Sequence, residues 1–348
     1  MALAPPLFRL SMTGKLALGG VILSAVWMPF LLIGAIIGRA LPDDGQIAFV
    51  SGTNRDDQIY LIDVRQRFVH KLTNKPVDYF NPMFSPDGSR IVFTAANNRG
   101  SQIYVMDLRG HSRNLSQARF GDTSPSWSPD GKRLAFVSTG QNGAASIWVM
   151  NADGSDAQAL NNLRVNHLQV PGWSPDGQQI AFVADGVFIA DVTTGRIVAH
   201  VTPGTSHGSP MWSPDGQYIA FGAVVNGEPE LYMVNADGSH LHRVVRAKIN
   251  YSALAWSADS QSIAYVAYEG ANTDIFVTNV VTGDLRRLTR DNHFDWLPAW
   301  SPDGRQIAFI SYRKMLAELY VMDADGLNVR RLTYHGIQDL EPIWMPRR

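Results

Sequence analysis

One phrase recurs through this chain at a nearly constant interval. Trp-Ser-Pro-Asp-Gly, or a close variant, is followed two residues later by a run resembling Ile-Ala-Phe-Val. An Ile-Tyr-Val-Met-Asp-like strand and an Arg-Arg-Leu-Thr-like segment come next. The block starts at Phe84, Trp127, Trp173, Trp212, Trp256 and Trp300, and Trp344 takes the same place near the C-terminus. The intervals are 43, 46, 39, 44, 44 and 44 residues. A period of about 40–45 residues with four short strands per unit is the signature of a β-propeller blade.

Counting Ile47, Ile91, Leu134, Ile180, Ile219, Ile263 and Ile307 as second strands predicts an all-β fold, a seven-bladed β-propeller. The pattern begins on a second strand, Ile47–Val50, and ends on a first strand, Glu341–Trp344. The C-terminal strand is therefore expected to complete blade one and close the ring, removing the sheet edges that invite aggregation. Ser-Pro-Asp-Gly reads as a tight turn: proline presets φ, aspartate bonds the nearby backbone, and glycine takes a positive φ. The recurring aspartates are turn formers on this reading, and the recurring tryptophans are core. Second-to-third strand connections read as loops of about eight residues, on the same face as the links between blades. That long-loop face is the expected functional face. Blade four departs from the rest, with its loop reduced to Asp185-Gly186.

Charged residues make up 18 % of the chain and the net charge is -1, which argues against a nucleic-acid partner. There is no cysteine, so disulfides, thiolate metal sites and cysteine nucleophiles are excluded.

Residues 16–38 carry no charge. As a helix they would span roughly 35 Å, enough for a bilayer core of about 30 Å. Arg9 and Lys15 precede this segment, and Asp43 and Asp44 follow it. The expected organisation is a cytoplasmic segment 1–15, a transmembrane signal-anchor helix 16–38 and a propeller 39–348. The charge bias places the propeller on the extracytoplasmic, periplasmic side. A cleaved signal peptide, with Gly38-Arg39-Ala40 as a small-x-small site, is the rival reading. Both export the propeller.

The phrase Trp-Ser-Pro-Asp-Gly-x-x-Ile-Ala-Phe at 300–309, with Tyr320–Thr333, resembles the TolB-type propeller repeat. The resemblance covers about residues 43–348. It implies an exported bacterial propeller that binds protein partners or small ligands.

Candidate site residues are sought where the blades differ. Five residues before each repeat aromatic stand Tyr79, Asp122, Leu168, His207, Tyr251, Asp295 and Asp339. Two residues further along, Asn81, Ser124, Ser209 and Glu341 fall on the same side if the strand alternates regularly. Together they predict a polar collar at the channel mouth, in which Asp122, Asp295, Asp339 and Glu341 have the oxygen ligands for Ca²⁺. Loop aromatics, Trp296 among them, have the composition of a protein-binding patch. Gly204-Thr-Ser-His-Gly208 matches G-x-S-x-G but lies in an all-β pattern with no following helix. The reading is a membrane-anchored scaffold without a catalytic constellation, which recognises an envelope or membrane protein. The alternatives are a metal-dependent enzyme or carbohydrate-binding propeller that uses the collar, and an accessory subunit of a larger membrane complex.

Overall fold

The computed structural model describes residues 45–348, apart from 54–55, 99, 117–120, 140–142, 166–168, 203, 205–207, 247, 314–315, 335, 348 and the side chains at 251 and 252. The segments 1–15 and 16–38 lie outside the described residues, as do His207 and the Tyr251 side chain. Among the described residues no helix is long and apolar enough to cross a membrane.

Seven four-stranded sheets form the propeller. The inner strands of blades two to seven are Asp78–Phe84, Asp122–Trp127, Gly172–Trp173, Met211–Trp212, Ile249–Trp256 and Phe294–Trp300. Blade one is assembled from both ends of the ring. Gln338–Trp344 pairs antiparallel with Gln46–Gly52, which pairs in turn with Gln58–Asp63 and then Val69–Lys71. The main chain carries the join one residue further, where the Met345 amide donates to the Gln46 carbonyl at 2.9 Å.

The second strands are apolar on both faces because each sheet is packed between two others. Ile47, Ala48 and Phe49 are all fully buried. Each hydrophobic cluster draws on two neighbouring blades, as where Phe49 and Trp344 of blade one meet Leu319 and Val321 of blade seven. The repeat tryptophans also link blades by hydrogen bonds. The indole N–H groups of Trp127, Trp173, Trp212, Trp256 and Trp344 donate to the carbonyls of Met83, Ser126, Gly172, Met211 and Ala299. Each acceptor directly precedes the repeat aromatic of the preceding blade.

The turn aspartates act locally, as expected. In each Ser-x-Asp unit from Ser85 to Asp303 the serine hydroxyl donates to the aspartate at 2.5–2.6 Å. The Ser85 bond is the main reason that the Asp87 carboxyl falls to about 2.

The second-to-third strand connections differ from expectation. They are hairpins, because the strands run further than the apolar pattern suggests. Tyr218–Val225 joins Glu228–Asn235 through Asn226 and Gly227, both at positive φ (53° and 83°). That is the Asn-Gly signal of a type I′ turn. Ser262–Glu269 joins Asn272–Asn279 through the two residues Gly270 and Ala271, of which Gly270 takes a positive φ of 64°. Blade four has strands of 5 residues, Gln179–Val183 and Val187–Asp191, where blade five has 8. At about 3.3 Å per residue its rim sits roughly 10 Å lower. The upper face is thus a rim of strand ends and interblade links, with a notch at Asp185-Gly186.

Candidate functional site

The carboxylates of the expected collar are not open to a channel mouth. Asp122, Asp295 and Asp339 are at most 1 % exposed. Each stands in register with a serine on its neighbouring second strand: Ser138, Ser311 and Ser51 respectively. Each also meets the hydroxyl residue six positions earlier, at the end of the preceding blade's outer strand. Asp339 shows the full pattern. Its Oδ1 accepts from Ser51 Oγ at 2.6 Å, and its Oδ2 accepts from the Leu319 amide at 3.1 Å and from Thr333 Oγ1. Thr333 Oγ1 in turn accepts from the Leu319 amide at 3.0 Å. One side chain therefore joins the closing strand, blade one and blade seven. Ser311 and Thr289 face Asp295, and Ser138 and Ser116 face Asp122, each lowering a pKa that burial raises. Neither Asp295 oxygen closes a well-aligned hydrogen bond.

This triad of Asp, Ser and Thr (or Ser) is a staple between blades, and it was legible as a covariation within the repeat. Ser51, Ser138 and Ser311 occur where the inner strand of the same blade has aspartate, and blade two has Ala95 opposite Tyr79. The other collar positions are not equivalent to these. In blade six the inner strand shifts register, so that Ile249, not Tyr251, stands opposite Ala267. Trp296 is half-buried, packed against the blade seven–blade one core, with its indole N–H unpaired.

Strand alternation fails between the two rows of collar residues because a bulge separates them. Registers shift between Phe80 and Met83, Thr123 and Ser126, and Trp296 and Ala299. Asn81, Ser124, Leu297 and Glu341 take positive φ values of 50°, 55°, 51° and 50°, each directly before a proline. Such non-glycine residues cost roughly 1–3 kcal/mol each and are held by the surrounding sheet. Glu341 Oε2 accepts from the Asn81 amide at 2.6 Å, bridging two bulges. Asp122, Asp295 and Asp339 lie in different blades, and among the described residues no three His, Asp or Glu side chains converge as metal ligands.

Two carboxyls titrate near neutrality. Burial, the dominant cause, pushes Asp295 from 3.8 to about 6 and the enclosed end of half-buried Glu341 from 4.5 to about 7. Both folded values lie above the unfolded ones, so the folded state holds more protons between them. Their contribution is complete below about pH 4 and is lost as pH rises through 6 and 7. For Asp295 the full shift corresponds to about 3 kcal/mol. The double substitution Asp295→Asn with Glu341→Gln is expected to raise the Tm at pH 8 and to lose that advantage at pH 4. An equal Tm difference at both pH values would contradict the assignment.

The upper rim carries exposed rings. Tyr268, near the end of a blade-six strand, is 51 % exposed, and Phe294, at the start of the blade-seven inner strand, is 46 % exposed. Phe294 stands in register with Tyr312. Ser206 and its G-x-S-x-G neighbours 205 and 207 lie outside the described residues.

Residues 36–186 and 250–347 match the TolB beta propeller domain. Among solved structures the chain is similar to TolB from Acinetobacter baumannii, at 19 % identity and TM-score 0.56, over 86 % of this chain and 82 % of that one. It is similar to an oligogalacturonate lyase in complex with manganese, at 17 % identity and TM-score 0.60, over 85 % and 87 %. It is also similar to the β-propeller domain of the Trilobed protease from Pyrococcus furiosus, at 15 % identity and TM-score 0.64, over 84 % and 95 %. At these identities the likeness is one of fold. The last is described as an open velcro topology, whereas Gln338–Trp344 completes a blade here. No curated protein sequence matches the chain.

Proposed function

The chain belongs to the TolB β-propeller domain family, and from that membership we propose that it is a binding propeller whose upper face takes a protein or peptide partner. The observation that carries this reading is the pair of exposed rim rings, Tyr268 and Phe294. Large aromatic side chains at strand ends, with the body apolar and the edge accessible, are the anchors that protein interfaces favour. The notch in blade four gives an extended segment a place to cross the rim. The uncharged run at 16–38 supports an anchored protein with its N-terminus in the cytoplasm and its propeller outside. An envelope or membrane protein is then the partner class. The same surface would serve an accessory subunit of a larger membrane complex.

Site-specific photo-crosslinking in native membranes tests the assignment. A photoreactive residue at position 268 or 294 is expected to give a discrete protein adduct. The same residue at Val281, an exposed position on a third-to-fourth strand turn of the opposite face, is expected to give none. Adducts from Val281 alone, or none from the rim, would overturn the proposal.

A further inference from the structure

We propose that the turn face of blades five, six, seven and one rests on a lipid surface, an inference that builds on the anchored protein proposed above. Exposed large apolar side chains collect on that face. Leu241 of blade five, Val281 of blade six, Leu327 of blade seven and Phe68 of blade one each stand in the connection between third and fourth strands, and Val281, Leu327 and Phe68 are 76 %, 64 % and 67 % exposed. Leu285 and Val329, also exposed, stand close to two of them in sequence. These four blades are consecutive, because closure sets blade seven beside blade one. The same connections in blades two, three and four expose polar residues, among them His111, Asp153 and Thr193. A single exposed apolar residue is ordinary, but segregation to one face of neighbouring blades marks a contact surface.

The place where the chain enters the ring favours lipid as the occupant. Gln46 opens the second strand of blade one at its turn end, where the Val64 amide donates to the Gly45 carbonyl at 2.7 Å. Only residues 39–44 separate Gly45 from the uncharged run 16–38. Fully extended, that stretch reaches about 25 Å. A bilayer that holds residue 38 therefore stays within that distance of the blade-one turns, on which Phe68 stands. The upper rim lies one strand length further off, about 25 Å for eight residues. With the turn face on lipid, the rim that carries Tyr268 and Phe294 points away from the bilayer.

The side chains of this face suit the headgroup boundary of a bilayer. The apolar tips enter the acyl margin, while Arg65, Arg67, Arg305 and Arg347, exposed around the point of entry, reach toward headgroup phosphates. Carboxylates share the face. Asp63 accepts from the Arg65 and Gln66 amides, Asp303 from Ser301 and Arg347, Asp323 from Asn328 and Asp325 from the Leu327 amide. Asp43 and Asp44 directly precede Gly45. Cations and carboxylates are thus near balance. Burial of the apolar tips, not attraction to anionic lipid, supplies the contact, and a zwitterionic bilayer is a sufficient probe.

Because the chain has no cysteine, a single introduced cysteine carries one fluorophore at a known place. The full chain labelled at Phe68→Cys, Leu327→Cys or Tyr268→Cys is reconstituted in phosphatidylcholine vesicles that contain doxyl-labelled phosphatidylcholine. Quenching by the lipid is expected to be at least threefold greater at 68 and 327 than at 268. With the label at Val281→Cys, the added pair Phe68→Ser and Leu327→Ser is expected to cut quenching at least twofold, whereas nearness imposed by the tether alone would leave it unchanged. Equal quenching at 68, 327 and 268, or unchanged quenching at 281, overturns the inference. Alkaline extraction of native membranes separates it from the anchored reading. A chain retained in the membrane but unquenched at 68 and 327 overturns the inference alone, and a chain released by alkali overturns both.

Discussion

A chain ending at Tyr334 is expected to be unfolded or aggregated, with no monomeric cooperative transition. The missing strand, Gln338–Trp344, is the inner strand of blade one and pairs along Gln46–Gly52 from Trp344 opposite Ile47 to Gln338 opposite Gly52. Its side chains enter two cores. Trp344 packs with Phe49, Ile310 and Leu319 on one side of the blade, while Leu340 and Ile343 pack against the cluster with Tyr79 and Phe93 on the other. Losing Trp344 alone costs about 3–5 kcal/mol by comparison with other large core side chains. A typical domain has only about 5–15 kcal/mol in total. Truncation also bares Gln46–Gly52, a buried apolar strand, as an unpaired edge. Light scattering with a thermal melt checks this, and a monomeric, cooperatively melting truncation would refute closure by the C-terminal strand.

Asp339→Ala is expected to destabilise the ring by about 3–5 kcal/mol, because a buried charged acceptor is removed from a filled network. The Ser51 hydroxyl loses its 2.6 Å acceptor and keeps only the Gln338 carbonyl at 3.1 Å, and the Thr333 hydroxyl loses its bond to the carboxylate. The Leu319 amide keeps only Thr333 Oγ1. At about 2–4 °C per kcal/mol for a chain near this size, the Tm falls by roughly 6–20 °C. Asp87→Ala is the matched control. That aspartate accepts hydrogen bonds within its own turn, from Ser85 and Ser89. Its loss is expected to cost about 1 kcal/mol, like that of other local side chain–backbone caps. Equal effects from the two substitutions would show that the interblade staple carries no special share of stability.

The blade count and the closure were legible because they rest on spacing, which a 44-residue interval between Trp256, Trp300 and Trp344 makes plain. Strand length was less so. Val225 and Glu228 continue their strands past the apolar run, and only the Asn226-Gly227 pair marks where the turn lies. The collar failed for a definite reason. Alternation places Asp339 and Glu341 on one side of a strand only if the strand is regular, and the positive φ at Glu341 breaks it. A proline after each such residue in blades one, two, three and seven was the visible mark of the bulge. Burial of the carboxylates depends on hydroxyls from two other strands, and no single stretch of sequence displays that arrangement. Tyr79 and Ala95 were readable as a departure only after Asp339 and Ser51 had shown what they depart from.

The central claim is that the Asp339 carboxylate holds blades together instead of holding a ligand. Titration of the purified full chain with Ca²⁺ and Mn²⁺, followed by Tm for the parent and for Asp339→Asn, tests it most directly. The staple predicts that Asp339→Asn melts well below the parent with or without metal, and that neither ion raises the parent's Tm in a saturable way. A stoichiometric, saturable rise that Asp339→Asn abolishes would contradict it.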